Sequence, residues 1–167
     1  VTVTRDAFLG GRLAVSQPRR GFRAGLDSVL LGAAVAAGSR RLLDLGAGVG
    51  TAALVALSDR PDLQATLCEA DPASAELARR NLADNGFGDR ADVLGLDVAA
   101  PGSVRAAAGL AADAFTSVIA NPPFFDSGAG TSPDPARAAA RHMPLDALDT
   151  WLRAAATHAA PGGEAIV

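Results

Sequence analysis

From residue 41 to residue 121 the chain alternates between two patterns, and that alternation restricts its fold more than any other feature. Short apolar runs at 41–46 (RLLDLG), 64–71 (QATLCEAD), 91–98 (ADVLGLDV) and 115–121 (FTSVIAN) read as buried strands. Helical stretches lie between them at 51–57, 71–86 and 102–112. The clearest is DPASAELARRNLADNG, 71–86, with Asp71 as N-cap, Pro72 at the first helical position and Asn85-Gly86 as a stop. An amphipathic helix at 144–160 is ended by Pro161-Gly162-Gly163, and EAIV, 164–167, opens a fifth strand. Strands alternating with helices predict right-handed βαβ units. The expected class is therefore α/β: a doubly wound, mostly parallel sheet with helices on both faces. Residues 1–40 fall outside the alternation and contain a loop, 16–25, and a helix, 26–38.

Composition narrows the setting. A chain of 167 residues suits one domain, and 49% hydrophobic residues exclude disorder. No apolar run reaches membrane-spanning length and nothing resembles a signal peptide, so a cytoplasmic protein with no membrane partner is expected. The single Cys68, mid-strand, fits a reducing compartment and a buried filler. Two histidines and one cysteine, widely separated, make no zinc site, and no metal is expected. Charge is uneven. Residues 1–41 hold seven arginines against Asp6 and Asp27, within a chain of net charge −3 that has no lysine. This basic segment is either a nucleic-acid footprint or a solvated loop.

LDLGAGVG places Gly46, Gly48 and Gly50 between a strand and a helix. Glycines there let the backbone turn sharply and let a ligand approach the amides at the helix start. Glu69 ends the next strand, 19 residues beyond Gly50, where an acid can accept from both ribose hydroxyls of a nucleoside. Read structurally, the same pieces are a tight turn and a surface glutamate; their context and spacing together favour nucleotide-type binding. A dinucleotide fingerprint needs glycine at 51, but Thr51 stands there. Asp44, two residues before Gly46, suits a ligand carrying an ammonium rather than a pyrophosphate.

The fourth strand ends in Asn121-Pro122-Pro123-Phe124. In a doubly wound sheet, ligands bind beyond the carboxyl ends of the strands where strand order reverses. If strands 1 and 4 flank that point, the loops at 46–50 and 121–125 share one crevice. Acceptors on the Asn121 side chain and the Pro122 carbonyl would grip the N–H groups of an exocyclic amine and aim its lone pair. The prolines preorganise them and remove competing donors. Phe124 offers a face for stacking on an aromatic acceptor. The bland alternative is a proline-ended strand followed by a chance phenylalanine.

These two segments resemble motif I and the (D/N/S)-P-P-(F/Y/W) motif of the class I S-adenosylmethionine-dependent amino-methyltransferases. The resemblance implies a Rossmann-like core over 41–167, with residues 1–40 as a loop and helix that close the cofactor pocket. It implies S-adenosylmethionine as cofactor, Glu69 as the ribose acid and Asp97 as an adenine-contacting acid, against a plain turn or cap role for Asp97. Residues 6–35 look like the N-terminal part of the tRNA adenine-N6 methyltransferases, with Gln17, Gly21-Phe22 and Asp27 matching; Leu26 replaces a small hydroxyl residue. By that match Asp27 helps bind the cofactor, while as a plain helix residue it would be an N-cap. The family has seven strands, so this chain is expected to be a piece of a longer protein, truncated after strand 5. The expected activity is N-methylation of adenine in tRNA, with Arg19, Arg20 and Arg23 on the phosphates and Phe124 on the base. Arg137 and Arg141 read as solvated helix charges, and His142 has no role in chemistry that needs no base. Trp151 reads as core. The alternatives are methylation of guanine N2 in ribosomal RNA or of a protein glutamine, an NAD-binding oxidoreductase, and a non-catalytic RNA-binding module. Thr51 counts against the oxidoreductase, and an intact Asn121-Pro122-Pro123-Phe124 against the silent module.

Overall fold

A computed structural model describes residues 2–21, 23–122 and 145–167, with side chains from residue 148 onward in the last segment. Two antiparallel strands come first, β1 (Val3–Phe8) and β2 (Leu13–Pro18). Then follow α1 (Leu26–Ala34), β3 (Arg41–Leu45), α2 (Thr51–Asp59), β4 (Gln64–Glu69), α3 (Pro72–Asp84), β5 (Ala91–Gly95), α4 (Gly102–Ala107), β6 (Phe115–Ala120), α5 (Leu145–His158) and β7 (Ala159–Ile166). The main sheet has the order β5-β4-β3-β6-β7, with every neighbouring pair parallel. The expected α/β sheet is present, and its strand order reverses between β3 and β6.

Burial on both faces explains why the strands read as continuous apolar runs. Leu42 joins a core with Leu54, Leu57 and Ile119 on the side of α2 and α3. Leu43 and Leu45 point the other way, into a core with Val118, Ala154 and Ala155 from β6 and α5. Asp71 caps α3 by accepting from the Ser74 N–H at 2.8 Å, with Pro72 at its start, as the sequence predicts. Gly50 precedes α2 at φ +85°, and a β-carbon there would meet Leu67 at 3.0 Å, so helix and sheet approach as closely as only glycine allows.

Four elements depart from expectation, the first being α1, which ends at Ala34 instead of reaching 38. Residues 3–18 form a hairpin for which no strand was expected and whose last three residues, 16–18, fall in the expected loop; it turns through Gly10 and Gly11 at φ +66° and +92°. α4 stops at Ala107 instead of reaching 112, with Gly109 at φ +91° just beyond. β7 begins at Ala159, inside the expected helix, and runs across Pro161-Gly162-Gly163. The register against β6 shifts between Phe115 and Ser117, which lets the strand carry those residues without ending.

The hairpin is fastened by side-chain amides. Asn81 accepts from Ser16 N at 2.7 Å and donates to Ser16 O at 2.9 Å. One turn later Asn85 does the same with Ala14, at 3.0 and 2.9 Å. Two asparagines at i and i+4 on α3 thus satisfy the outer edge of β2 as a neighbouring strand would. Asn81 is fully buried and makes a third hydrogen bond, donating to the Val49 carbonyl of the glycine loop at 2.9 Å.

Candidate active site

The register pairs Leu45 with Ala120, so Gly46 and Asn121 leave the sheet side by side at its carboxyl edge. The loop that follows β3 is tightly braced. Ala47 N–H donates to Cys68 O at 2.9 Å and Gly50 N–H to Ala47 O at 2.8 Å. Gly46 (φ +66°) lies against the Trp151 ring of α5, and Gly48 (φ +56°) faces open space where its side chain would stand. The loop therefore presents bare backbone to a ligand at Gly48. Trp151, read as core, does pack with the second cluster, but its ring also supports the glycine turn.

Two of the expected acids converge on this loop. Asp44 is 2% exposed, and its Oδ2 has no hydrogen-bond partner among the described residues. Burial pushes its carboxyl up to about 7; a backbone N–H from Ala53, in the first turn of α2, opposes the rise and the charge of Glu69 adds to it. Glu69 accepts from Gly48 N–H at 2.7 Å through Oε2 and from Asp71 N–H at 2.8 Å through Oε1. Each oxygen keeps a second acceptor position. Asp97 lies two residues past the end of β5, just after Leu96, whose N–H donates to Glu69 O at 3.1 Å. Its Oδ1 accepts from Ala99 N–H at 2.8 Å, which is the turn role open to it from sequence, and the residue stays exposed. The Cys68 thiol, pushed up to about 12 by burial, is inert filler.

Asn121 sits at the β6 end with Pro122 buried behind it. Its Nδ2 donates to Asp27 Oδ2 at 2.9 Å. Asp27 therefore reaches the site, and it does so without capping α1, whose N-cap is Gly25 with no side-chain acceptor. Pro123, Phe124, Arg137, Arg141 and His142 lie outside the described residues, as does Phe22.

The N-terminal charge is more local than its sum implies. Arg5 pairs with Asp84, Arg12 with Asp59 and Arg40 with Asp62. Arg23, expected on phosphate, is engaged within the fold: it donates to Asp6 at 2.5 Å, Pro18 O at 2.8 Å and Thr4 at 2.9 Å. Gln17 completes this cluster, donating to Asp6 at 2.7 Å and accepting from Ala24 N–H at 3.0 Å. The Gln17 hydrogen bond is the main reason that the Asp6 carboxyl is held below its ordinary range. Gln17, Asp6 and Arg23 close the loop between β2 and α1. Arg19 and Arg20 remain exposed on it and make no ion pair among the described residues. Asp6 and Asn81 were invisible as site supports in sequence because their partners are distant along the chain. Among the described residues no group of three or more His, Cys, Asp or Glu could hold a metal ion, and no helix is long and apolar enough to cross a membrane.

Residues 26–166 match the family described as Methyltransferase small domain. The chain is 35% identical over 162 residues to the tRNA1(Val) (adenine(37)-N6)-methyltransferase of Aeromonas hydrophila, covering 95% of this chain and 64% of that one. It is 39% identical over 117 residues to the protein of the same name from Shewanella amazonensis, covering 70% and 47%. The chain thus spans about half to just under two thirds of the length of the curated relatives it matches. Among solved structures, a predicted O-methyltransferase of Agrobacterium tumefaciens superposes with a TM-score of 0.62 at 30% identity, covering 83% of this chain and 59% of that one. TYW2 of P. horikoshii in complex with MeSAdo superposes at 0.68 with 14% identity, covering 98% and 51%, a likeness of fold.

Proposed function

The chain belongs to the methyltransferase small-domain family, and on that premise we propose that it is a cytoplasmic S-adenosylmethionine-dependent N-methyltransferase acting on an exocyclic amine, adenine N6 in a tRNA. The observation that carries this reading is the placement of Asn121 beside the glycine turn, through the Leu45–Ala120 pairing. The names of the relatives support adenine in tRNA as the acceptor.

The residues fit the cofactor. The buried Oδ2 of Asp44, without a partner among the described residues, is a counter-charge for an ammonium, and the space before Gly48 admits a ligand against bare backbone. Glu69, already fixed by Gly48 and Asp71, keeps lone pairs for ribose hydroxyls. When bound, S-adenosylmethionine supplies an activated methyl group on a sulfonium. Asn121 Oδ1 and the Pro122 carbonyl accept from the amine N–H groups, which draws the nitrogen out of conjugation and directs its lone pair into the crevice. Phe124 stacks on the base, and Arg19 and Arg20 hold phosphates outside the crevice.

Incubating the protein with transcribed tRNA and labelled S-adenosylmethionine, followed by nucleoside mass spectrometry, tests this directly. N6-methyladenosine is expected. N2-methylguanosine, or methylglutamine in a protein digest, would overturn the substrate and leave methyl transfer standing; no labelled product from RNA or protein would overturn both.

A further inference from the structure

Asp27 and Asn121 are 94 residues apart in sequence, yet Asn121 Nδ2 meets Asp27 Oδ2 at 2.9 Å. Asp27 is in the first turn of α1, where the helix end favours a carboxylate, but it leaves that end uncapped. A carboxylate oxygen accepts and an amide nitrogen donates. The hydrogen bond therefore decides which end of the Asn121 side chain faces Asp27, and it turns Oδ1 away from it. We propose that Asp27 is a positioning residue for the Asn121 amide, fixing it with Oδ1 toward the acceptor nitrogen. The proposal rests on reading this site as that of an amino-methyltransferase.

An amide free to rotate would present NH2 to the substrate as readily as oxygen, and an NH2 group cannot accept from an amine. Held by Asp27, Asn121 accepts only, so the site selects a substrate that donates N–H and disfavours a carbonyl or a bare ring nitrogen at the same point. The negative charge of Asp27 also polarises the Asn121 amide, which would strengthen Oδ1 as an acceptor toward a nitrogen that becomes positive as its lone pair is used.

A reciprocal exchange tests the pair. In Asp27→Asn, the introduced amide can donate to Asn121 Oδ1 and sequester it; turnover at saturating cofactor falls about 10- to 100-fold. In Asn121→Asp, two carboxylates face each other, and turnover falls by a similar factor. The double variant, Asp27→Asn with Asn121→Asp, restores a donor opposite an acceptor. The amide at position 27 donates to the carboxylate at position 121, whose second oxygen still accepts from an amine. Turnover then recovers to within about tenfold of the parent. A merely structural role for the pair would not give reciprocal rescue in kcat. Turnover of Asp27→Asn at the parent value, or a double variant no better than the poorer single one, overturns the inference. Side-chain amide NMR supplies a readout independent of activity: the Asn121 NH2 pair, assigned by its loss in Asn121→Ser, should shift in Asp27→Ala. An unmoved pair overturns the positioning role. A shifted pair in a protein that methylates nothing upholds the positioning of the amide and overturns the proposed function.

Discussion

The ring of Trp151 occupies the place that a side chain on Gly46 would take: a β-carbon there would lie 2.3 Å from Trp151 Cη2 and 2.8 Å from Cζ3. The glycine also holds φ +66°, which costs an L-residue about 1–2 kcal/mol. Gly46→Ala should therefore destabilise the protein by about 2–4 kcal/mol, combining backbone strain with overpacking. Urea denaturation should show that combining Gly46→Ala with Trp151→Ala costs less than the sum of the two, because the second change removes the clash. Strict additivity would mean that the indole is not what limits this position.

Trp151 is the one tryptophan of the chain, so intrinsic fluorescence reports on this turn alone. Titration with S-adenosylmethionine should change the emission and raise the melting temperature, by linkage worth about 2.7 kcal/mol at 100 times Kd. NADH should change neither. Glu69→Ala should weaken binding by about 2 kcal/mol, since it removes charged acceptors for both the ribose and the Gly48 N–H.

Asp44 gives a pH dependence with a defined sign. Its carboxyl ionises at 3.8 ordinarily and at about 7 in the fold, because burial disfavours the charge. Between those values the unfolded chain loses the proton first, so the Asp44 contribution to stability is fully present below 3.8 and declines as pH rises through about 7. Asp44→Asn should match the parent near pH 4 and exceed it by up to a few kcal/mol near pH 8, in urea melts of the ligand-free protein. The same substitution should weaken cofactor binding, since it removes the counter-charge. A stability difference independent of pH would show that Asp44 ionises normally.

Asn121→Ala separates chemistry from binding. Cofactor affinity should stay within about twofold, while turnover falls about 10² to 10³, as when one preorganised polar group facing a developing charge is removed. Single-turnover methylation with saturating cofactor measures it; parent-like turnover would remove Asn121 from the mechanism.

Of the seven arginines in residues 1–41, Arg23 is bound to Asp6, three others have acidic partners and Arg41 lies over the Phe115 ring, which leaves Arg19 and Arg20 as the exposed cations of the loop before α1 without an ion pair among the described residues. Replacing both with serine should flatten the dependence of RNA affinity on salt by about 0.7–0.9 in log–log slope for each phosphate left without its arginine. Arg23→Ser should act differently, lowering stability through the loop that Gln17 and Asp6 close. Filter binding across a salt series, with a thermal melt of each variant, distinguishes the two.

The centre of the sheet was legible because β3 and β6 are buried on both faces, which leaves apolar runs such as Leu42-Leu43 and Val118-Ile119 in plain view. The hairpin was not, because the edge of β2 is covered by Asn81 and Asn85, and amides leave no mark in a hydrophobic pattern. Gly10-Gly11 between alternating stretches was the one local signal for it. β7 was misplaced since Pro161-Gly162-Gly163 normally stops an element, and only a register shift against β6 lets it continue. Within the site, the positions of the glycines in a turn and of Glu69 and Asn121 at strand ends were readable because turn signals are local. The contacts of Asp27 with Asn121 and of Arg23 with Asp6 were not, since each joins partners that only the folded chain brings near.

Asn81 ties a piece of chain lying before the matched family segment to the glycine turn, through Ser16 on one side and Val49 O on the other. Peeling β2 away would strand a fully buried amide, and freeing Val49 would strand the same one. Hairpin and turn are therefore expected to open together, with their amide protons exchanging with solvent at one common free energy. A ligand that rests on the turn should then slow exchange throughout the hairpin.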